Sequence, residues 1–288
     1  MRKVLRSRAS LLIAVLVLLV SCVSRPKTKM APELSQITAE PQHYLEVGDY
    51  EKAIAAYDLA YRAHPEVDGL LAAYVDSLEK IKREADRAFV AKDFSSAEKF
   101  YSLLIQSFPL FENFKMSLSF SPQGLSARVK DCRFHAARLR ADRAIQTGDF
   151  LKAMEYWKSL LRAYPGDPES LAEFLGLSQE IQKKASSSLA QADFAAAGKA
   201  FYALAQNLEL LEKFSPPPFS RRVLEEGIKT CRVELTRKGL EHYRKGRLAE
   251  AIRTWKDLLV FDPDNTEIQK AVETATEQLK KLKKEVSP

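Results

Sequence analysis

Self-similarity at long spacing constrains this chain more than any other feature. Five segments share one pattern: Gly48-Asp49-Tyr50 with Ala53, Tyr57 and Pro65; Lys92-Asp93-Phe94 with Ala97, Tyr101 and Pro109; Gly148-Asp149-Phe150 with Ala153, Trp157 and Pro165; Ala192-Asp193-Phe194 with Ala197 and Phe201; and Gly246-Arg247-Leu248 with Ala251, Trp255 and Pro263. In four of the five the Pro stands eight residues after the aromatic, and the fourth has Glu209 in that place. A fixed period of tens of residues means an array of supersecondary units, none of which buries its apolar face alone. Composition agrees: 10 Gly and 13 Pro in 288 residues speak against a loop-rich all-β chain, and three Cys exclude a disulfide-stapled scaffold.

Each position in the pattern has a physical reason. Gly at the first position ends one helix in a left-handed turn, and the apolar residue two later starts packing the next. The Ala three further on lets two helices approach closely, while the aromatic one turn beyond fills the space between neighbours. Pro then closes the second helix, because the residue before it disfavours the α region. Upstream, Ala85, Ala141, Ala185 and Gly239 each stand seven residues before the turn, which places a small residue at the facing crossing point.

The pattern from about Tyr44 onward resembles the tetratricopeptide repeat (TPR). That resemblance implies an all-α, right-handed solenoid of helical hairpins, with about five degenerate repeats capped by a C-terminal helix. It also implies a partner-binding groove lined from the first helix of each hairpin. Carried over position by position, the lining residues are Lys82, Asp86 and Phe89, then Arg138, Asp142 and Ile145, then Leu240, Tyr243 and Arg244. The period departs from the family: turn positions 48, 92, 148, 192 and 246 are 44, 56, 44 and 54 apart, where TPR units repeat about every 34 residues. A second mark agrees with a longer unit, since Phe120-Ser121-Pro122 with Lys130-x-Cys132-Arg133 recurs as Phe214-Ser215-Pro216 with Lys229-x-Cys231-Arg232. The chain therefore divides into module 1 at 39–138, module 2 at 139–237, and a half module with a capping helix at 238–288. The extra length is expected in the helices before each turn. Leu71, Tyr74, Leu78, Ile81, Ala85 and Phe89 form one apolar stripe there, and similar helices are expected near 124–147, 168–191 and 220–245. Apolar loops are expected at 109–122 and 215–219, and an amphipathic helix over 265–284 that covers the open end.

Ahead of the array, Arg2, Lys3, Arg6 and Arg8 precede ten consecutive apolar residues, 11–20. That run is too short to span a bilayer, which takes about 18 or more apolar residues, and has the length of a signal-peptide core. Leu19-Val20-Ser21-Cys22 resembles the bacterial lipobox, which implies a leader over 1–21, lipidation of Cys22, and, with Val23 next, outer-membrane sorting facing the periplasm. Acyl chains contribute about 0.8 kcal/mol per buried CH₂, so a multiply acylated Cys22 is a stable anchor. Residues 22–38, with two Pro and no periodicity, read as lipidated Cys plus tether. The leader carries four positive charges, so the +7 of the whole chain falls to +3 without it. That is an ordinary surface and no argument for nucleic acid.

No catalytic or cofactor motif is present: the four His, at 43, 64, 135 and 242, have no second ligand at metal spacing, and there is no Walker loop, G-x-S-x-G or H-E-x-x-H. Catalysis, metal and cofactor are not expected, and neither is an added catalytic domain after the fifth repeat. Asp167 and the Asp262-Pro263-Asp264-Asn265 stretch read as helix caps. Cys132 and Cys231 occupy equivalent places in successive modules, too far apart to bridge, and are expected as buried free thiols. The segment with Arg128, Lys130, Arg133, Arg138, Arg140 and Arg143 is either a solvated helical face or a docking stripe for an acidic partner, anionic lipid or cell-wall polymer. The resulting expectation is a membrane-anchored, non-catalytic scaffold that binds other envelope proteins. The alternative is a lipoprotein that binds peptidoglycan or accompanies a cell-wall enzyme.

Overall fold

The computed structural model describes residues 33–286; the leader, Cys22 and the beginning of the tether lie outside the described residues. Among the described residues there are eleven α-helices, one 3-10 helix and no strand. They are α1 (Leu34–Glu46), α2 (Tyr50–Ala63), α3 (Leu70–Val90), α4 (Phe94–Phe111), α5 (Pro122–Gln146), α6 (Phe150–Ala163), α7 (Pro168–Ala190), α8 (Phe194–Phe214), α9 (Arg221–Arg244), α10 (Leu248–Leu259) and α11 (Thr266–Val286), with the 3-10 helix at Glu112–Ser117 after α4. Neighbouring helices pack in sequence order: α1 on α2, and each of α5 to α10 on its successor. The helix α1 starts at Leu34, inside the segment read as tether. Its reason is a short stripe, Thr38, Pro41 and Leu45, that is buried at helical spacing.

Every hairpin turns in the same way. Gly48, Gly148 and Gly246 have φ of +78°, +75° and +71°, and Lys92 and Ala192 adopt the same left-handed conformation at +62° and +59°. At the third turn the Gly148 N–H donates to the Ile145 carbonyl at 3.0 Å and the Asp149 N–H to the Ala144 carbonyl at 2.8 Å. The same pair of bonds recurs at 92–93, 192–193 and 246–247, which satisfies the free carbonyls at each helix end. The Asp that finishes one helix also starts the next: the carboxylates of Asp49, Asp93, Asp149 and Asp193 accept from the N–H three residues on. Arg247 holds that place in the fifth turn and caps nothing.

The crossing points are packed as the spacing predicts. Ala53, Ala97, Ala153, Ala197 and Ala251 are buried, as are Ala85, Ala141 and Ala185, and the aromatics Tyr57, Tyr101, Trp157, Phe201 and Trp255 fill between them. The helices before the turns are long, 21 residues in α3, 25 in α5, 23 in α7 and 24 in α9.

Two features differ from the sequence expectation. Pro109 does not close α4, which runs on to Phe111, and α8, without a Pro, runs to Phe214. These second helices have 18 and 21 residues, against 14 in α2 and α6 and 12 in α10, so they share the extra length of the long period. A Pro inside a helix removes one backbone hydrogen bond. Here the continued turn delivers Phe111 and then Phe114 to buried places, and the segment expected as a loop is largely helical.

The chain groups into two compact units. The first holds residues up to Ile81 together with Ser107–Ser119. Its core is aromatic: Tyr57 stacks on Tyr74 at 5.5 Å, and Phe111 and Phe114 meet Tyr74 edge-on at 6.5 and 5.2 Å. The Glu79 carboxylate accepts from both the N–H and the hydroxyl of Ser119, at 2.6 and 2.7 Å, and fixes the chain beyond the 3-10 helix. The second unit holds Lys82–Gln106 and everything from Phe120, and one hydrophobic core runs through it from Phe134 to Ala275. There α6, α8 and α10, the second helices of their hairpins, approach one another directly. Gly198 permits this, since a Cβ on it would overlap the ring of Phe261. The last helix, α11, packs on α10 and buries Ile268 and Ala275. Among the described residues no helix is long and apolar enough to cross a membrane.

Candidate functional site

The nine groove residues chosen from sequence fall into three groups with different fates. Lys82, Asp86 and Phe89 lie on successive turns of α3 and are drawn into a joint with α4 and α5. Lys82 Nζ is 2.8 Å from Asp86 Oδ2, the Tyr101 hydroxyl donates to Asp86 Oδ1 at 2.5 Å, and Arg128 Nη2 is 3.9 Å from the same oxygen. The Arg128 guanidinium also lies over the Phe89 ring at 4.6 Å. Phe89 meets Phe94 edge-on at 5.4 Å, and His135 stacks on Phe94 at 5.4 Å. Burial pushes the Asp86 carboxyl upward, but the hydrogen bonds from Lys82 and Tyr101 and the positive charges outweigh it and hold the group below its ordinary value. Burial first, and then the Asp86 carboxylate, push the Tyr101 phenol up to about 12.

In the second group Ile145 is buried in the core and presents no surface. Asp142 is exposed, and Arg138 pairs with Glu173 of α7 at 3.6 Å. Lys130 and Arg133 of the basic helix are similarly occupied. Lys130 reaches Asp167 at 2.6 Å and Glu169 at 3.7 Å, and Arg133 reaches Glu98 at 2.6 Å and the Tyr164 hydroxyl at 3.3 Å. The hydrogen bond from Lys130, with those from Ser170, holds Asp167 down to about 2. Arg140 and Arg143 are exposed and make no ion pair among the described residues. The helix is thus mainly a set of ties to its neighbours. The repeated K-x-C-R mark has the same meaning, since Arg232 grips Asp262 at 2.7 Å just beyond α10, as Arg133 grips Tyr164 just beyond α6.

The third group is open. Leu240 is 39% exposed, Tyr243 is half-buried with its ring 5.9 Å from that of Trp255, and Arg244 is exposed. Tyr243 and Arg244, with Gly246 and Leu248, face Gln278, Lys281 and Leu282 of α11 across a groove of about 420 Å³. The sequence pattern marks α11 as a cap, and the groove adds Lys281 and Leu282 to it. The sequence signal is that the apolar stripe Ile268, Val272, Ala275 and Leu279 continues to Leu282, past the two buried residues Ile268 and Ala275, which leaves Leu282 51% exposed. A smaller cavity of about 290 Å³ opens between the α5–α6 turn, Lys199 and Tyr202 of α8, and Val260.

Asp167 accepts from the Ser170 N–H at 2.9 Å and Asn265 from the Ile268 N–H at 3.1 Å, so both act as helix caps. Among the described residues no group of three or more His, Cys, Asp and Glu side chains is placed to hold a metal ion. Cys132 and Cys231 are buried and unbridged, and burial pushes each thiol up to about 11. Compared with known proteins, the chain matches no family model, and no curated protein matches it.

Proposed function

We propose that this chain is a TPR-like, non-catalytic scaffold of the bacterial cell envelope, tethered to the outer membrane by lipid on Cys22 and facing the periplasm, where it holds or positions other envelope proteins. The observation that carries the reading is the contrast between its helical surfaces. Lys82 is held by Asp86 on its own helix, and Lys130 of α5 and Arg232 of α9 by Asp167 and Asp262 beside neighbouring helices, whereas Tyr243 and Arg244 line an open groove with Leu240, 39% exposed, one turn earlier. An array of sequentially packed hairpins presents such side chains from separate helices to one extended or helical segment, and several weak contacts sum. The leader pattern and Leu19-Val20-Ser21-Cys22 support the anchor.

A photo-crosslinking side chain placed at Leu240, and separately at Asp142, in the native envelope tests the scaffold directly. Defined protein adducts at either position are expected. Absence of protein adducts at both, together with firm binding of the purified chain to peptidoglycan alone, overturns the scaffold in favour of a cell-wall-binding protein. The anchor has its own test, since Cys22→Ala is expected to release the chain from the membrane fraction or leave the leader uncleaved. Unchanged attachment of a cleaved Cys22→Ala chain overturns lipidation.

A further inference from the structure

We infer that the groove between the end of α9 and α11 docks an acidic peptide segment that carries a bulky apolar side chain. This rests on the scaffold reading and narrows it to one face and one partner chemistry. The volume of about 420 Å³ falls within the roughly 300–1,000 Å³ of ligand pockets. Its apolar part is the Tyr243 ring, Leu248 and the half-exposed Leu282, with Leu240 one turn earlier on α9. Leu282, 51% exposed, together with the Tyr243 ring and the largely buried Leu248 gives the groove a contiguous apolar wall that can anchor a side chain.

Charge selects the occupant. Arg244 and Lys281 line the groove, and among the described residues no carboxylate lines it and neither cation makes an ion pair. Lys245, the neighbour of Arg244, is by contrast tied to Glu241 on its own helix. Two cations with no ion pair among the described residues flank an apolar cleft, complement a segment with acidic residues around an apolar one, and steer it in. A membrane surface fits less well, because α11 also exposes Glu273 and Glu277. A flat anionic sheet meets those carboxylates along with the lysines, and a narrow segment in the cleft does not.

The test uses the full-length chain and a fluorescein-labelled ten-residue peptide of Asp, Glu and Leu, with a counterpart carrying Lys at every acidic place and with phosphatidylglycerol vesicles as further probes. The acidic peptide is expected to bind, more weakly as salt rises from about 50 to about 500 mM. Arg244→Glu combined with Lys281→Glu is expected to weaken it at least tenfold, and Leu282→Ser several-fold. Arg140→Glu combined with Arg143→Glu, the cations of α5 with no ion pair among the described residues, is expected to leave it unchanged. All variants lie at exposed positions, and an unchanged helical circular dichroism spectrum establishes that they fold. Equal binding of the Lys peptide, equal loss in the α5 variant, or vesicle binding that depends on Arg244 and Lys281 and is not displaced by the acidic peptide overturns the inference. Failure of the peptide to bind while crosslinks persist at Asp142 overturns this groove alone and leaves the scaffold standing. Failure of the peptide to bind together with absence of adducts at both Leu240 and Asp142 removes the scaffold as well.

Discussion

The indole of Trp255 lies directly on the backbone of Gly239, so close that a Cβ at 239 would overlap Nε1. At the corresponding place the other long first helices carry Ala85, Ala141 and Ala185, all buried. In the last hairpin that methyl is absent and the Trp255 ring occupies its place. Gly239→Ala is therefore expected to destabilise the chain by about 1–2 kcal/mol through overpacking, even though Ala favours helix. Gly176 is the control: it lies in α7, is exposed, and has nothing within 4 Å of where a Cβ would stand. Gly176→Ala is expected to stabilise by about 0.5–1 kcal/mol. Urea midpoints with unchanged slopes read both, and equal effects at the two positions exclude the packing explanation.

The five turns make a second pair of opposite expectations. Lys92 and Ala192 hold a left-handed backbone that glycine adopts without cost, and at Gly148 nothing but the backbone conformation resists a side chain. Ala192→Gly and Lys92→Gly are expected to raise stability by up to about 1 kcal/mol, and Gly148→Ala to lower it by about 1 kcal/mol or more. Thermal midpoints that move in the same direction for Ala192→Gly and Gly148→Ala contradict the turn assignment.

The fifth turn lacks the cap that the other four possess. Arg247 replaces Asp at the position from which Asp193 accepts the Ala196 N–H at 3.1 Å. Arg247→Asp is expected to stabilise by about 1 kcal/mol and Asp193→Ala to destabilise by a similar amount, since a carboxylate there satisfies a free N–H and meets the positive end of the helix. Chemical denaturation of the two single variants checks the signs.

These turns and crossing points were legible because their physics is local and recurs. A left-handed residue, a capping Asp and a small residue seven places upstream each act within one or two helical turns, and five copies average out chance. Pro109 does not end its helix, because distant aromatic burial at Phe111 and Phe114, which no local rule contains, continues it. The site was less legible for the same reason. Lys82 and Asp86 are four apart and readable as a pair, but the hydroxyl that completes the joint comes from Tyr101, and the carboxylate that occupies Lys130 comes from Asp167. Polar residues at groove-like places are visible in a sequence, whereas the distant partner that consumes each one is not. Lys281 and Leu282 were missed because the groove they complete joins helices separated by α10.

The Lys130–Asp167 tie gives a pH dependence with a definite sign. Asp167 titrates at about 2 in the folded chain, below the ordinary 3.8, chiefly because Lys130 and then Ser170 hydrogen-bond its carboxylate. A depressed carboxyl contributes stability that is present above the unfolded value and is lost as pH falls through the folded one. Wild type and Lys130→Met are therefore expected to differ by a constant amount from about pH 8 to 5 and to converge between about pH 4 and 2. A difference that vanishes already near neutral pH, or that persists undiminished at the acid end, contradicts the tie.

Asp86 and Tyr101 decide whether the first group of groove residues is a joint or a docking surface. The phenol is fully buried and donates to a carboxylate that Lys82 and Arg128 also hold, so removal of either partner leaves a polar group short of a bond. Hydrogen bonds to charged groups contribute roughly 1.5–3 kcal/mol, and partial exposure of Asp86 reduces that to about 1 kcal/mol for the coupling. A double-mutant cycle of Tyr101→Phe and Asp86→Asn is expected to show that coupling in stability, with each single variant destabilised and the double less destabilised than their sum. Affinity for the acidic peptide is expected to stay unchanged in both single variants, because neither residue lines the α9–α11 groove. A loss of peptide binding in Asp86→Asn without a loss of stability reverses the assignment and returns Lys82, Asp86 and Phe89 to the partner-binding surface.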